Sequence, residues 1–268
     1  MKEKMNLQFI SEMYSDAGAW RRMNQDACCV RIMKIGGHSI VLAAVCDGAG
    51  GLQEGDYASK STIQFFNHWF DYTAGKNIQG KDQNELMQYF KKEIEQCIQK
   101  QNRLIYEYAQ DKGIRTGTTL TLLLIADGKY MTAQVGDSRA YRISRELQQL
   151  TEDQSVVARE IKAGRLSEKE AKHDRRRNVI LQCMGASENL QTVYESGNVG
   201  REDVFFLCSD GFVHELEEAE IKELFRPTSL ADRASIKKRL MDAVSLVRKR
   251  GEKDNITIVL VKAYENCG

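Results

Sequence analysis

The chain of 268 residues contains one proline, Pro227. A Pro-rich linker is thereby excluded, and with no internal repeat or low-complexity stretch residues 1–268 read as one domain. Charge of one sign is also missing. Lys and Arg number 39, Asp and Glu 38, and the net charge is +1. That balance argues against a nucleic acid or an anionic membrane as the main partner. The short clusters Arg175-Arg176-Arg177 and Lys237-Lys238-Arg239 suit a solvated helix face or loop. No apolar run approaches the roughly 18 residues of a membrane-spanning helix. The opening Met1-Lys2-Glu3-Lys4-Met5-Asn6 leads into no signal-peptide core. None of the seven cysteines (28, 29, 46, 97, 183, 208 and 267) forms a C-x-x-C pair, which argues against zinc or thioredoxin chemistry. Their pattern is that of a reduced, cytoplasmic protein. A G-x-x-x-x-G-K-[ST] loop is absent, and so is the protein-kinase motif set, which excludes a P-loop NTPase and a kinase.

What is present is an ordinary globular composition, 42% hydrophobic and 29% charged, able to bury a sizeable core. Apolar patterning predicts strands at Gln8–Ile10, Ala27–Met33, Ser39–Cys46, Thr118–Ile125, Tyr130–Val135, Arg139–Ile143, Thr192–Glu195, Val204–Cys208 and Ile256–Lys262. Helical spacing covers Tyr57–Phe70, Asn84–Ala109, Glu217–Phe225 and Leu230–Arg248. Residues 153–185 read as helical, then charged and irregular. Runs of strands broken by helix pairs indicate layered sheets with helices outside, not alternating βαβ units. Cys46 and Cys208 read as small core residues, and Cys28 and Cys29 face opposite sides of one strand.

Several strands stop or start on a carboxylate. Asp47 ends the apolar run Ile40 to Cys46, Asp137 follows Val135-Gly136, Asp210 follows Cys208-Ser209, Asp254 precedes Asn255-Ile256, and Asp26 opens a strand. An Asp-Gly pair is commonly a hairpin turn, and Asp127-Gly128 has an apolar strand on each side to make one. Asp47-Gly48 and Asp210-Gly211 lack the second strand and run on towards helices. Both a turn and a ligand role stay open for each Asp taken singly. Together, carboxylates converging at one rim would repel each other, and a divalent cation removes that cost. Oxygen donors without His or Cys select Mg²⁺ or Mn²⁺ over zinc. Bare backbone at Gly48, Gly50 and Gly51 lets a carbonyl or a substrate come close.

The stretches Arg21 to Asp26, Val45 to Gly51, Gly117-Thr118-Thr119, Val135 to Arg139, Leu150 to Ser155, Cys208 to Gly211 and Asp254 to Thr257 run in an order that resembles the bacterial metal-dependent protein phosphatases of the PP2C (PPM) type. The resemblance covers nearly the whole chain. It implies an α+β fold, a central antiparallel β-sandwich flanked by helix pairs in four α-β-β-α layers, with a flap subdomain at about 155–185. It implies a protein serine/threonine phosphatase that hydrolyses phosphoserine and phosphothreonine with a metal-bridging water and opposes a Ser/Thr kinase, with phosphorylated proteins as partners. By match, Asp47 would bridge two Mn²⁺ or Mg²⁺ ions, the Gly48 carbonyl would bind one of them, and Asp26, Asp210 and Asp254 would complete the ligands. Asp137 would hold a third, weaker ion with Asp210. Arg21 would grip the substrate phosphate; on the residues alone it reads as a surface arginine. Ala49 stands where some members carry a catalytic His, leaving water or the third site to protonate the leaving group, and Gln25 stands where others carry Glu. A metal-free docking module of the same fold is the rival reading. His173 reads as a solvated residue of the flap, and His38, His68 and His214 show no partner pattern.

Overall fold

The computed structural model describes residues 7–49 and 53–265. Gly50, Gly51, Cys267 and the first six residues, on which some of the expectations above rest, lie outside these residues. In chain order the elements are β1 (Leu7–Asp16), β2 (Asp26–Ile35), β3 (His38–Asp47), α1 (Gly55–Tyr72), α2 (Gln83–Lys112), β4 (Leu120–Ala126), β5 (Lys129–Val135), β6 (Arg139–Ile143), β7 (Leu147–Gln149), α3 (Val156–Lys162), α4 (Glu168–Ala171), β8 (Val193–Asn198), β9 (Val204–Cys208), α5 (Asp210–Val213), α6 (Glu218–Leu224), α7 (Arg233–Lys249) and β10 (Ile256–Glu265). One antiparallel sheet runs β1-β10-β9-β6-β7 and the other β2-β3-β4-β5-β8. The two sheets face each other with helices on both outer sides, so the α+β sandwich expected from the sequence is the fold observed.

Strand β3 shows why the apolar run has no polar alternation. Ile40, Leu42, Ala44 and Cys46 pack towards α1 and α2, with Phe66, Phe90 and Ile98. Val41, Ala43 and Val45 pack between the sheets, against Phe205, Leu207 and Val259. Both faces of the strand are covered, and each fully buried large aliphatic side chain contributes about 1.5–3 kcal/mol. The other sheet turns Phe206, Cys208, Ile258 and Leu260 outward onto Ile236, Leu240, Val244 and Val247 of α7. Cys29 and Cys28 divide between these layers, Cys29 on the helix side and Cys28 against the inter-sheet core. All six described cysteines are free thiols. Among the described residues no helix is long and apolar enough to cross a membrane.

Local chemistry sets the element ends. Asp82 and Glu85 cap α2 reciprocally, and Gly113 closes it with φ 63°. The helix expected from Leu230 begins at Arg233, because Asp232 caps it and a 3-10 turn occupies Pro227–Ser229. Strand β1 is much longer than Gln8–Ile10, and β7 was not expected at all. Asp127-Gly128 is the anticipated hairpin turn: φ is 48° and 81° there, the pair of positive angles that a type I′ turn demands.

Candidate metal and phosphate site

Antiparallel order brings the end of β3 and the starts of β2 and β4 to one edge of their sheet, and the end of β9 and the starts of β6 and β10 to the matching edge of the other. Asp26 and Asp47 are direct cross-strand partners. Directly opposed residues of an antiparallel pair point to the same face. Here that is the inter-sheet face, since Cys28–Val45 and Val30–Ala43 continue the same register into the inter-sheet core. From the facing sheet, the Ser209 hydroxyl donates to Asp26 Oδ2 at 2.9 Å.

The backbone around Asp47 is fixed by Gly117-Thr118-Thr119. The Asp47 N–H donates to Thr119 Oγ1 at 2.9 Å, and the Asp47 carbonyl accepts from Thr118 Oγ1 at 2.9 Å and the Thr119 N–H at 2.8 Å. Gly48 and Gly211 lack the positive φ that the type I′ hairpin at Asp127-Gly128 requires. They are sites of close approach. A Cβ on Gly48 would stand 2.4 Å from the Gly55 carbonyl oxygen, and one on Gly211 would stand 2.3 Å from that of Asn255.

Five carboxylates are thereby placed within electrostatic reach. Burial pushes the Asp26 carboxyl up to about 7, with Asp210 and Asp254 adding to the rise and hydrogen bonds from Thr257 and Ser209 opposing it. Asp47 keeps some solvent contact, yet burial, then Asp26, Asp210, Asp137 and Asp254, lift it well above the carboxylate range. Asp137 is raised well above it by burial, then by Asp210 and Asp153. Asp210 is raised by burial, with His214 opposing. Such a set is poor for a metal-free core and suited to a cation.

Arg21 reaches the same rim. Its guanidinium is bidentate on Asp254, with Nε to Oδ1 at 3.1 Å and Nη2 to Oδ2 at 2.8 Å. The segment carrying it is stapled by Asn255, whose side-chain amide donates to the Ala17 and Met23 carbonyls and whose Oδ1 accepts from Gln25 N–H.

His214 does have partners, against the sequence expectation. Its Nε2 is 3.7 Å from Asp210 and its Nδ1 is 3.4 Å from Glu252, an ion-pair contact in which neither His214 Nδ1 nor Glu252 Oε2 makes a hydrogen bond. Glu252 in turn accepts the N–H groups of Lys253 and Asp254. Burial pulls the imidazole down, but Glu252 and Asp210 together hold it above its usual range. Glu252 thus ties the segment of Asp254 to the helix of Asp210. The i, i+4 spacing of Asp210 and His214 was the only sequence signal. His38 pairs with Asp127 at the far end of the sandwich, and His68 packs on Tyr72. His173 lies in the turn after α4, as a loop residue should.

Residues 155–185 leave and return beside Asp137. The Gln154 N–H donates to the Gly136 carbonyl, its carbonyl accepts from the Leu181 N–H, and its side chain accepts from Gly136 N–H at 2.7 Å. Arg139 forks onto Asp153 there, a pair the sequence did not flag. A cleft of about 710 Å³ opens between α3–α4 and α5–α6, with Asp137 and Asp210 on its wall.

The donors at the rim fit a hard cation. The buried oxygens Asp26 Oδ1 and Asp210 Oδ1 have no hydrogen-bond partner, and a buried carboxylate oxygen left unpaired is costly unless it meets a cation. Among the described residues, no three His, Cys, Asp or Glu side chains are drawn tightly around one point, and Asp254 has both oxygens on Arg21.

Comparison with known proteins follows the same lines. The family described as protein phosphatase 2C matches residues 21–245. The protein phosphatase PhpP of Streptococcus pneumoniae is 31% identical over 256 residues, covering 94% of this chain and 97% of the relative. The serine/threonine phosphatase Stp1 from Staphylococcus aureus superposes with a TM-score of 0.80 at 27% identity, over 96% of this chain and 94% of that one. The catalytic domain of the serine/threonine protein phosphatase PstP, solved in complex with two manganese ions, shares the fold with a TM-score of 0.76 at 23% identity, over 97% of this chain and all (100%) of that one.

Proposed function

The chain belongs to the protein phosphatase 2C family, and from that premise we propose that it is a Mn²⁺- or Mg²⁺-dependent protein serine/threonine phosphatase with its active centre at the carboxylate rim. What carries this reading is that Asp26, Asp210, Asp137 and Asp254 all lie within electrostatic reach of Asp47, and that Asp26 and Asp210 each have a buried oxygen without a hydrogen-bond partner. In it Asp47, the Gly48 carbonyl, Asp26, Asp210 and Asp254 would hold the Mn²⁺ or Mg²⁺ ions, and Asp137 with Asp210 would serve a further, weaker site. Bound there, the ions would supply hydroxide at neutral pH and stabilise an in-line displacement at phosphorus.

The chain's own residues do the remaining work. Arg21 presents a planar fork that matches two phosphate oxygens. Its present partner, Asp254, would be a metal ligand in this reading, which would leave the Arg21 fork free for the phosphate. Thr118, Thr119 and Ser209 hold Asp47 and Asp26 in place. Glu252 keeps the Asp254 segment against His214. Substrates are phosphorylated proteins, and the activity opposes a Ser/Thr kinase. Free, largely buried thiols suit the cytoplasm, where we place the protein.

The test is an assay of a small aryl phosphate and a phosphothreonine peptide with Mn²⁺, with Mg²⁺ and with chelator. Phosphate release that needs the metal supports the reading, and release unaffected by chelator overturns it.

A further inference from the structure

The segment 17–24 carries a feature that the phosphate chemistry does not use. Gly18 sits at φ 74° with its Cβ position 2.5 Å from the Asp254 carbonyl oxygen, so the segment lies tight against the 253–255 strand entry. Asn255 holds it at Ala17 and Met23, and Asn24 donates to Ser15 at 2.8 Å. On this fixed ledge Arg21 turns in to Asp254, while Trp20, the residue before it, is 67% exposed. Lys253, the residue before Asp254, lies over one face of the Trp20 ring at 5.7 Å. An inner ion pair, Arg21–Asp254, is thus flanked by an outer pair, Trp20–Lys253. Met23, three residues on from Trp20, is also exposed, at 51%.

An indole left in water is an uncommon use of the largest apolar side chain, and tryptophan is among the residues enriched where binding energy concentrates. A ring already held by its backbone and by Lys253 loses little freedom when a partner covers it. Consecutive residues of an extended peptide are spaced by about 3.3–3.6 Å. Trp20 and Arg21 are consecutive and meet consecutive residues, Lys253 and Asp254, so a peptide whose phosphate is held at Arg21 has its neighbouring residues beside this pair.

Resting on the phosphatase reading above, we propose that Trp20 is a specificity residue: it receives an apolar side chain adjacent to the phosphoresidue, so that phosphopeptides with such a neighbour are the preferred substrates. The ring supplies apolar area, and Lys253 covers only one of its faces.

Two phosphothreonine peptides, identical except for leucine or glycine next to the phosphoresidue, test this in the wild type, Trp20→Ala and Trp20→Phe. The wild type should favour the leucine peptide in kcat/KM by about fivefold or more, equivalent to a contact of about 1 kcal/mol. The ratio should fall to near one in Trp20→Ala and persist in Trp20→Phe. A ratio unchanged in Trp20→Ala overturns the proposal. Fluorescence gives a second reading independent of turnover. The protein has two tryptophans, and the other, Trp69, is 5% exposed. In chelator, the leucine peptide should change the emission of the wild type and not of Trp20→Phe; an unchanged wild-type spectrum overturns the proposal. If the wild type hydrolyses neither peptide with either metal, the phosphatase reading falls, and the emission change alone decides the role of Trp20.

Discussion

Asp26 and Asp47 stand opposite each other in the register of β2 and β3, on the face where Cys28–Val45 and Val30–Ala43 build the inter-sheet core. Two carboxylates at adjacent cross-strand positions are destabilising by themselves. Their placement favours a ligand over a turn, and it makes the loss of charge informative.

Replacing Asp47 or Asp210 with Asn should therefore separate stability from activity. In chelator, either variant should melt at or above the wild-type temperature, because one member of a partly desolvated, mutually repelling carboxylate set has been removed. With Mn²⁺, the wild type should gain melting temperature and the variants little. Hydrolysis should fall by more than the roughly 10–100-fold that loss of an outer metal partner costs. Calorimetric melts and initial rates on one preparation check both.

Arg21→Ala should raise KM for a phosphopeptide and lower kcat/KM by about 10–100-fold, the loss of hydrogen bonds to a charged group. Manganese affinity should stay level or rise, since Asp254 is freed from its guanidinium partner. Steady-state kinetics together with a metal titration distinguish this from misfolding, in which both would fall.

Gly48→Ala and Gly211→Ala should destabilise through backbone collision. The new methyl groups would meet the Gly55 and Asn255 carbonyl oxygens at 2.4 and 2.3 Å, and neither neighbour is a flexible side-chain end. Overpacking of this kind costs about 1–3 kcal/mol, read as a lowered midpoint in urea with unchanged slope.

Glu220 gives a pH dependence away from the metal site. Its carboxyl accepts the Arg250 fork and the Glu217 N–H, which lower it to about 2. A depressed folded value means that the stabilisation is fully present above the unfolded value of about 4.5 and is lost as pH falls towards 2. Melting temperatures of the wild type and Glu220→Gln should differ above pH 4.5 and converge as the pH approaches 2. The gap should be small, because the pair is at the surface.

Much of this was legible in the sequence, for identifiable reasons. The run Ile40 to Cys46 announced a strand covered on both faces, and the absence of a second strand after Asp47-Gly48 and Asp210-Gly211 separated them from Asp127-Gly128. Other features had no local signal. Strand β1 lies at a sheet edge with most residues half-buried, so its alternation is weak, and β7 is three residues long. Glu252 and His214 are distant in the chain and meet only because α5 and the entry to β10 share a rim. The need for glycine at 48 and 211 comes from backbone brought close by tertiary packing, which no dipeptide pattern encodes.

The most direct test of the carboxylate rim as a metal centre is calorimetric titration of Mn²⁺ into the chelator-treated wild type and Asp47→Asn. Two tight ions in the wild type, both lost or strongly weakened in the variant, is the expected result. Equal binding by the two proteins, or no saturable binding by the wild type, would contradict it.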